Sequence, residues 1–237
     1  MKAIYLGLAI LMAGGLVLFG VGSSVNGGLA DVFSGGGNSG DLKKQVEKSQ
    51  EAVTKDPKNA KALQNLIVDR YTWAGDTKNF NPKTQEFTEE GKAQLTALTK
   101  NWATYQKLTD KPNLVTASYV VSAYLGLQDA KGAQKAQSIL AERQPSAANY
   151  LALFEYATFA GDSLVATGAE LKARDLATKD QIAEINQQIK TTKQRAKKRG
   201  EEIQKQIQQQ FAQQQQSAQS GGSPLSPFGG AGGSGGQ

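Results

Sequence analysis

Cysteine and histidine are both absent from this 237-residue chain. Without a thiolate or an imidazole there is no disulfide, no Ser-His-Asp or Cys-His nucleophile, no haem ligation and almost no route to a zinc or iron site. The lack of cysteine also leaves the redox compartment open. Aromatic residues are sparse at 7%, and acids, 21 against 27 bases, are too few to balance the charge. The whole excess of six lies in one place, because Lys190–Arg199 (KTTKQRAKKR) holds six bases and no acid. The rest of the chain is neutral. A chain of this length accommodates one folded domain with tethers, or two small ones, which excludes a large multidomain enzyme.

What is present divides the chain into blocks. Ala3–Gly22 (AIYLGLAILMAGGLVLFGVG) is uninterrupted by charge, and no charged residue occurs between Lys2 and Asp31. Twenty apolar residues rising 1.5 Å each make a helix of about 30 Å, the hydrocarbon thickness of a bilayer. We read 1–25 as an uncleaved transmembrane signal-anchor; the rival is a cleaved secretory signal, whose apolar core needs only about 7–15 residues. Lys2 and the α-amine lie on the short side and no base follows until Lys43. The positive-inside bias therefore predicts a cytoplasmic amino terminus and an extracytoplasmic remainder. The opposite topology, with the remainder in the cytoplasm, is the alternative.

Residues 26–40, ending in Ser34–Gly40 (SGGGNSG), read as a flexible Gly/Ser linker. At the other end, 217–237 carries eight Gly, five Ser and two Pro in 21 residues, a composition that cannot offset the entropy of ordering and is expected to be a disordered tail.

Between them, strand signals are almost absent and the prolines fall only between apolar-periodic stretches, at Pro57, Pro82, Pro112 and Pro145. That pattern predicts helical hairpins. Pro112 and Pro145 are 33 apart, as are Asp129 and Asp162, and Ala133 and Ala166. A period near 33 with a turn at its centre is the length of a two-helix solenoid unit. On these residues the chain resembles the tetratricopeptide repeat family. Pro112-Asn113 precedes a first helix from Leu114 with Tyr124 near its end, Gln128-Asp129 makes a turn, and Ala133 and Leu140 lie on a second helix closed by Pro145. The next unit starts at Ala148, carries Leu151, Leu153 and Phe154, turns at Gly161-Asp162 and continues with Ala166 and Ala173. An earlier unit reads Pro57, Leu63, Leu66 and Gly75-Asp76, with about 21 extra residues that include Thr77–Glu90. Asp41–Asp56 fits a lone second helix. The resemblance covers about 135 residues, but no unit has the family's early Trp or its Gly at the close-contact site of the first helix.

The expected fold is therefore all-α: the transmembrane helix, an α-α solenoid of about three and a half hairpins over 41–178, and a long C-terminal helix over 179–216. In that last helix Ile182, Ile185, Ile189, Ala196, Ile203 and Ile207 form one narrow apolar stripe, suited to capping the final unit with its first half. Its basic patch, Lys190, Lys193, Arg195, Lys197, Lys198 and Arg199, reads as a solvated face, a contact for anionic lipid or acidic protein, or least of all a nucleic-acid site. No aromatic is interleaved for base stacking, so no nucleic acid is expected.

No catalytic residue, cofactor site or metal site is expected. The adjacent acids Glu89-Glu90 and Glu201-Glu202 occupy consecutive positions, whose side chains point apart on a helix. What the resemblance does imply is a protein-binding groove along the first helices. It assigns Asn65, Asp69 and Trp73 from the first unit, Ser118 and Ser122 from the second, and Leu151, Glu155 and Phe159 from the third, although Trp73 reads equally as core beneath the insertion. The paired Lys and Arg with which part of the family captures carboxylate tails are absent from these positions. The functional expectation is a membrane-anchored protein-binding module, similar in order of parts to anchored repeat proteins that accompany bacterial secretion, with membrane-associated or secreted protein partners and no assigned oligomeric state. The alternative is a cytoplasm-facing adaptor whose basic helix contacts ribosome, acidic lipid or acidic protein.

Overall fold

The structure, a computed structural model, describes residues 39–220, with side chains over 40–213. The apolar run Ala3–Gly22, most of the Gly/Ser linker and the tail beyond Ser220 lie outside the described residues. Among the described residues, no helix is long and apolar enough to cross a membrane.

Eight helices and one short hairpin make up the described chain. They are α1 Ser39–Lys55, α2 Ala60–Ala74, β1 Phe80–Asn81, β2 Glu86–Phe87, α3 Glu89–Tyr105, α4 Leu114–Gly126, α5 Ala130–Arg143, α6 Ala147–Ala160, α7 Ser163–Asp175 and α8 Ile182–Ser220. The fold is all-α apart from the hairpin. Each helix from α1 to α6 packs against the next, and α2 also packs against α4. Compared with the sequence reading, α1 begins two residues inside the expected linker, α6 begins at Ala147 rather than Ala148, and α8 starts at Ile182 rather than Lys179 and runs to Ser220.

Local signals explain where the helices start. Asn59, Thr88, Asn113, Asp129, Ser146 and Asp162 each cap a helix, their side-chain oxygens accepting the N–H three residues on. Each such cap contributes about 1 kcal/mol. These caps also carry the 33-residue period into geometry. Asn113 accepts from Thr116 and Ser146 accepts from Asn149. Gln128 and Gly161 both take left-handed backbone, at φ 60° and 77°, a conformation that ends helices and favours glycine. Asp129 and Asp162 follow with nearly equal dihedrals, −92°, 85° and −89°, 84°. Their N–H groups close the same turn, onto Tyr124 O at 2.8 Å and Ala157 O at 2.9 Å. Sequence positions 33 apart thus share one backbone conformation.

Two apolar clusters fill the first compact unit, which ends at Thr192. One gathers Leu63, Ile67 and Tyr71 of α2, Leu95, Leu98 and Trp102 of α3, Val120 of α4 and Ala133 of α5. Tyr71 stacks on Tyr119 of α4 with ring centres 4.7 Å apart and planes 13° from parallel. The other cluster gathers Leu151 and Phe154 of α6, Ala166, Ala169 and Ala173 of α7, and Ile185 and Ile189 of α8. Lys193 begins a second unit, formed by the remainder of α8.

The enlarged first unit departs from the sequence expectation of a strand-free turn. Between α2 and α3 the chain forms an antiparallel hairpin that pairs Phe80 with Phe87 and Asn81 with Glu86. Gln85 supplies the left-handed residue of its turn, at φ 55°. Phe87 then packs inward, so that a Cβ on Gly126 would lie 2.8 Å from its Cε2 and 2.8 Å from Leu95 Cδ1. The insertion is part of the core. Glu89 and Glu90, grouped with it by sequence, form the first turn of α3.

Two predictions follow from the packing and the caps. A Cβ on Gly132, in the first turn of α5, would fall 2.2 Å from Tyr124 Cδ1, whereas a Cβ on Gly168, inside α7, would meet nothing within 4 Å. Gly132→Ala should destabilise the domain by about 1–3 kcal/mol through overpacking, and Gly168→Ala should stabilise it by about 0.5–1 kcal/mol through helix propensity; thermal melts of the two variants should move in opposite directions. The second concerns Asp162, whose carboxylate accepts from Gln134 Nε2 at 2.8 Å and from Val165 N–H at 3.1 Å. The Gln134 bond above all, then the backbone bond, hold its carboxyl below the ordinary aspartate value. A depressed folded value means the contribution is present above the unfolded pKa and is lost as pH falls through the ordinary aspartate range toward the folded one. Asp162→Asn should therefore flatten the acid limb of melting temperature against pH, and an unchanged acid limb would refute this role.

Candidate functional site

A face shared by the first helices α2, α4 and α6 is defined by counting from their caps, Asn59, Asn113 and Ser146. Ser118 and Ser122 stand five and nine residues after Asn113; the same offsets from Ser146 reach Leu151 and Glu155, with Phe159 one turn on. In α2 these offsets fall on Gln64 and Val68. Asn65, Asp69 and Trp73, assigned to the groove by sequence, are each one residue further along, about 100° around a helix.

That offset shows in their surroundings. Asn65 is exposed and Trp73 half-buried, but Asp69 is buried at 8% exposure. Its carboxylate accepts from Gln45 Nε2 at 2.7 Å and from Ser49 Oγ, both on α1. Asp69 therefore ties α1 to α2 and does not line an open face, a correction whose cause is the half-repeat helix lying on it. Leu151 is corrected as well, because at 5% exposure it belongs to the second apolar cluster. Ser118, Ser122, Glu155 and Phe159 are all half-buried.

The two serines present little free polarity. Ser118 Oγ donates to Val115 O at 2.7 Å and Ser122 Oγ to Ser118 O at 3.2 Å. Ser122 also shares a hydrogen bond with the Tyr71 phenol, whose pKa burial pushes well above the ordinary value. Burial, and then the Glu155 charge, push the Tyr156 phenol upward in the same way. Both phenols stay neutral at any physiological pH. What this face offers is aromatic and amide surface with one carboxylate, Glu155.

Beside Asp69, a second polar contact was not foreseen from sequence. Arg70 donates through its Nη atoms to Gln94 Oε1 at 2.5 Å and Gln50 Oε1 at 2.7 Å, joining α1, α2 and α3, while its Nε is buried without a hydrogen bond. Burial lowers its pKa. Gln94 in turn donates to Glu90 Oε1 at 2.9 Å. Polar residues at 45, 49 and 50 on the inner side of α1 are the signal that α1 docks by hydrogen bonds as well as through Val46, which is 4% exposed.

The basic patch is divided by the unit boundary. Lys190 belongs to the first unit, and Lys193, Arg195, Lys197, Lys198 and Arg199 belong to the second. All are exposed except Arg195, which is half-buried. Among the described residues, no group of three or more acidic, His or Cys side chains is placed to hold a metal. Glu89 pairs with Lys92 at 2.9 Å on the surface. No family model matches this chain, and neither does any curated protein or solved structure.

Because the Asp69 carboxylate fastens α1, Asp69→Ala should act on stability before it acts on binding. It removes the buried carboxylate that accepts from exposed Gln45 and half-buried Ser49, a loss of about 1–3 kcal/mol. Hydrogen exchange should quicken most in α1; uniform exchange across all helices, or none, would refute the assignment.

Proposed function

We propose that this chain is a membrane-anchored helical-repeat protein of the tetratricopeptide type, which binds protein partners along the first helices α2, α4 and α6. The observation that carries the reading is the recurrence, at 33 residues, of the cap, the left-handed residue and the turn hydrogen bond together. A repeated hairpin of this kind presents the same helix face from each unit, which suits an extended surface for binding polypeptide. Phe159 supplies half-exposed aromatic area and Glu155 a charge on this face, flanked on α2 by Trp73 and Asn65, about 100° further around that helix. Interface energy concentrates in such aromatic anchors.

The membrane part of the reading rests on Ala3–Gly22 and on Lys2 as the only side-chain charge before Asp31. It puts the repeats outside the cytoplasm, tethered where secreted or membrane-resident proteins emerge, and assistance to secretion or envelope assembly is the role we assign. Confinement at the membrane raises effective concentration, so a micromolar surface suffices.

In cells, replacing Trp73 and Phe159 by Ala together should weaken partner binding by about 2–4 kcal/mol, a loss of roughly thirtyfold or more, seen as missing partners after in-cell crosslinking while the melting temperature stays near that of the parent. Neutralising Lys197, Lys198 and Arg199 should leave those partners in place. The reverse pattern would move the interaction from the helical face to the basic segment. Protease added to cells stripped of any outer envelope should digest the repeats, whereas full protection would favour the cytoplasm-facing adaptor.

A further inference from the structure

The second unit begins at Lys193, and within it Ile203, Ile207 and Phe211 are 46%, 46% and 61% exposed. Spaced four apart, they line one side of α8. Three large apolar residues in a row are more than scattered surface apolarity explains.

We propose that this segment of α8 pairs with the same segment of a second copy of the chain, antiparallel and centred on Ile207. The spacing is symmetric about that residue, so antiparallel pairing at this centre sets Ile207 against Ile207, and Ile203 against Phe211. Charge fixes the direction. The block of bases from Lys193 to Arg199 lies on the amino-terminal side of the apolar trio, Glu201 and Glu202 stand between the two, Lys205 alone lies within the trio, and Gln206 to Gln216 contains no charge. Parallel pairing would set two basic blocks about 8–10 Å apart across the helix pair. Antiparallel pairing about Ile207 moves the centres of the blocks, near residue 196, 22 residues apart along the axis, about 33 Å at 1.5 Å per residue. That exceeds the Debye length of about 8 Å at physiological salt, so the repulsion is screened. Neither basic block then meets the basic block of its mate.

The residues beside the trio point to the same occupant. Gln204, Gln206, Gln208 and Gln210 have amides that both donate and accept, so a Gln-flanked stripe complements itself. A helix lying on lipid would instead carry its bases alongside a broad apolar face, and here the apolar face is one narrow stripe with Lys205 the one base beside it, the other five bases from Lys193 to Arg199 being displaced along the axis. The contact is small and draws on the membrane tether for effective concentration; it does not depend on the face of α2, α4 and α6.

Because the native chain has no cysteine, single cysteines report the register directly in the full-length protein within its membranes. Under mild oxidation, Ile207→Cys should give a disulfide-linked dimer several-fold faster than Ile203→Cys or Phe211→Cys alone. Co-expressed Ile203→Cys and Phe211→Cys chains should crosslink to each other. The triple variant Ile203→Gln, Ile207→Gln, Phe211→Gln should keep the parent's helical circular dichroism and, with Gln208→Cys added, lose the crosslinks that Gln208→Cys gives on the parent stripe with a short thiol-to-thiol crosslinker, since the two copies of position 208 lie only about 3 Å apart along the axis. Equal crosslinking of Ile203→Cys and Phe211→Cys with themselves would show parallel pairing and overturn the proposal, as would no crosslink at any of the three positions. A position-207 thiol that stays uncrosslinked and is shielded from a water-soluble maleimide only in membranes containing anionic lipid would assign the stripe to lipid instead.

Discussion

A pair of helices joined by a short turn can cover only the sides that face each other, and each hairpin therefore keeps an apolar side that its neighbour must close. Everything else in the first unit answers that constraint. Between α2 and α4 it is met by the stacked Tyr71 and Tyr119 rings, and among α6, α7 and α8 by a cluster in which Ala166, Ala169 and Ala173 admit Phe154 and Ile185. Small residues set how near the backbones come. Gly126 and Gly132 play the same part against Phe87 and Tyr124, where a single methyl group has no room.

The two ends meet the constraint differently. At the carboxyl end Ile185 and Ile189 of α8, with 0% and 2% exposure, close the apolar side of the last hairpin, and Arg174 of α7 fixes the register by donating to Asn186. At the amino end α1 is a lone helix whose mean composition is polar, and it buries Val46 together with hydrogen bonds from Gln45 and Ser49 to Asp69 and from Arg70 to Gln50. Hydrogen bonds of this kind add modestly to stability when made and cost more when broken than apolar contacts of similar size. They specify one docking register for α1, because a slip along the helix would strand a carboxylate and a guanidinium together.

The period was legible because it is written in residues whose chemistry is local. Proline, a capping Asp or Asn and a small helix-crossing residue act within a few positions of themselves, so Pro112 and Pro145, or Asp129 and Asp162, announce the turns without knowledge of the rest. Three features were not legible, and each depends on a distant partner. The strands around Phe80 and Phe87 are two residues long and gain their order from Gly91 and Gly126, which no local pattern connects to them. Asp69 looks like a surface acid on α2 until α1 is laid over it. Leu151 shares the cap offset of Ser118, yet it turns inward because α6 is packed on both sides, by α5 and α7. An offset carried from one unit to the next gives the position of a residue on its helix but not what covers it.

That difference bears on where recognition energy can lie. The first-helix face is mostly amide, hydroxyl and aromatic, with its two serine hydroxyls already donating to backbone carbonyls. Among Ser118, Ser122, Glu155 and Phe159, Glu155 alone offers charge. In the binding role proposed above, selectivity would come from aromatic anchors, Phe159 on this face and Trp73 at its edge, with affinity in the range that a short aromatic contact supports once the cost of association is met. The segment of α8 beyond Thr192 has the opposite character, bases at one end and amides at the other around three large apolar residues. On the membrane tether proposed above, confinement would multiply the effects of two such weak and chemically distinct surfaces without strengthening either.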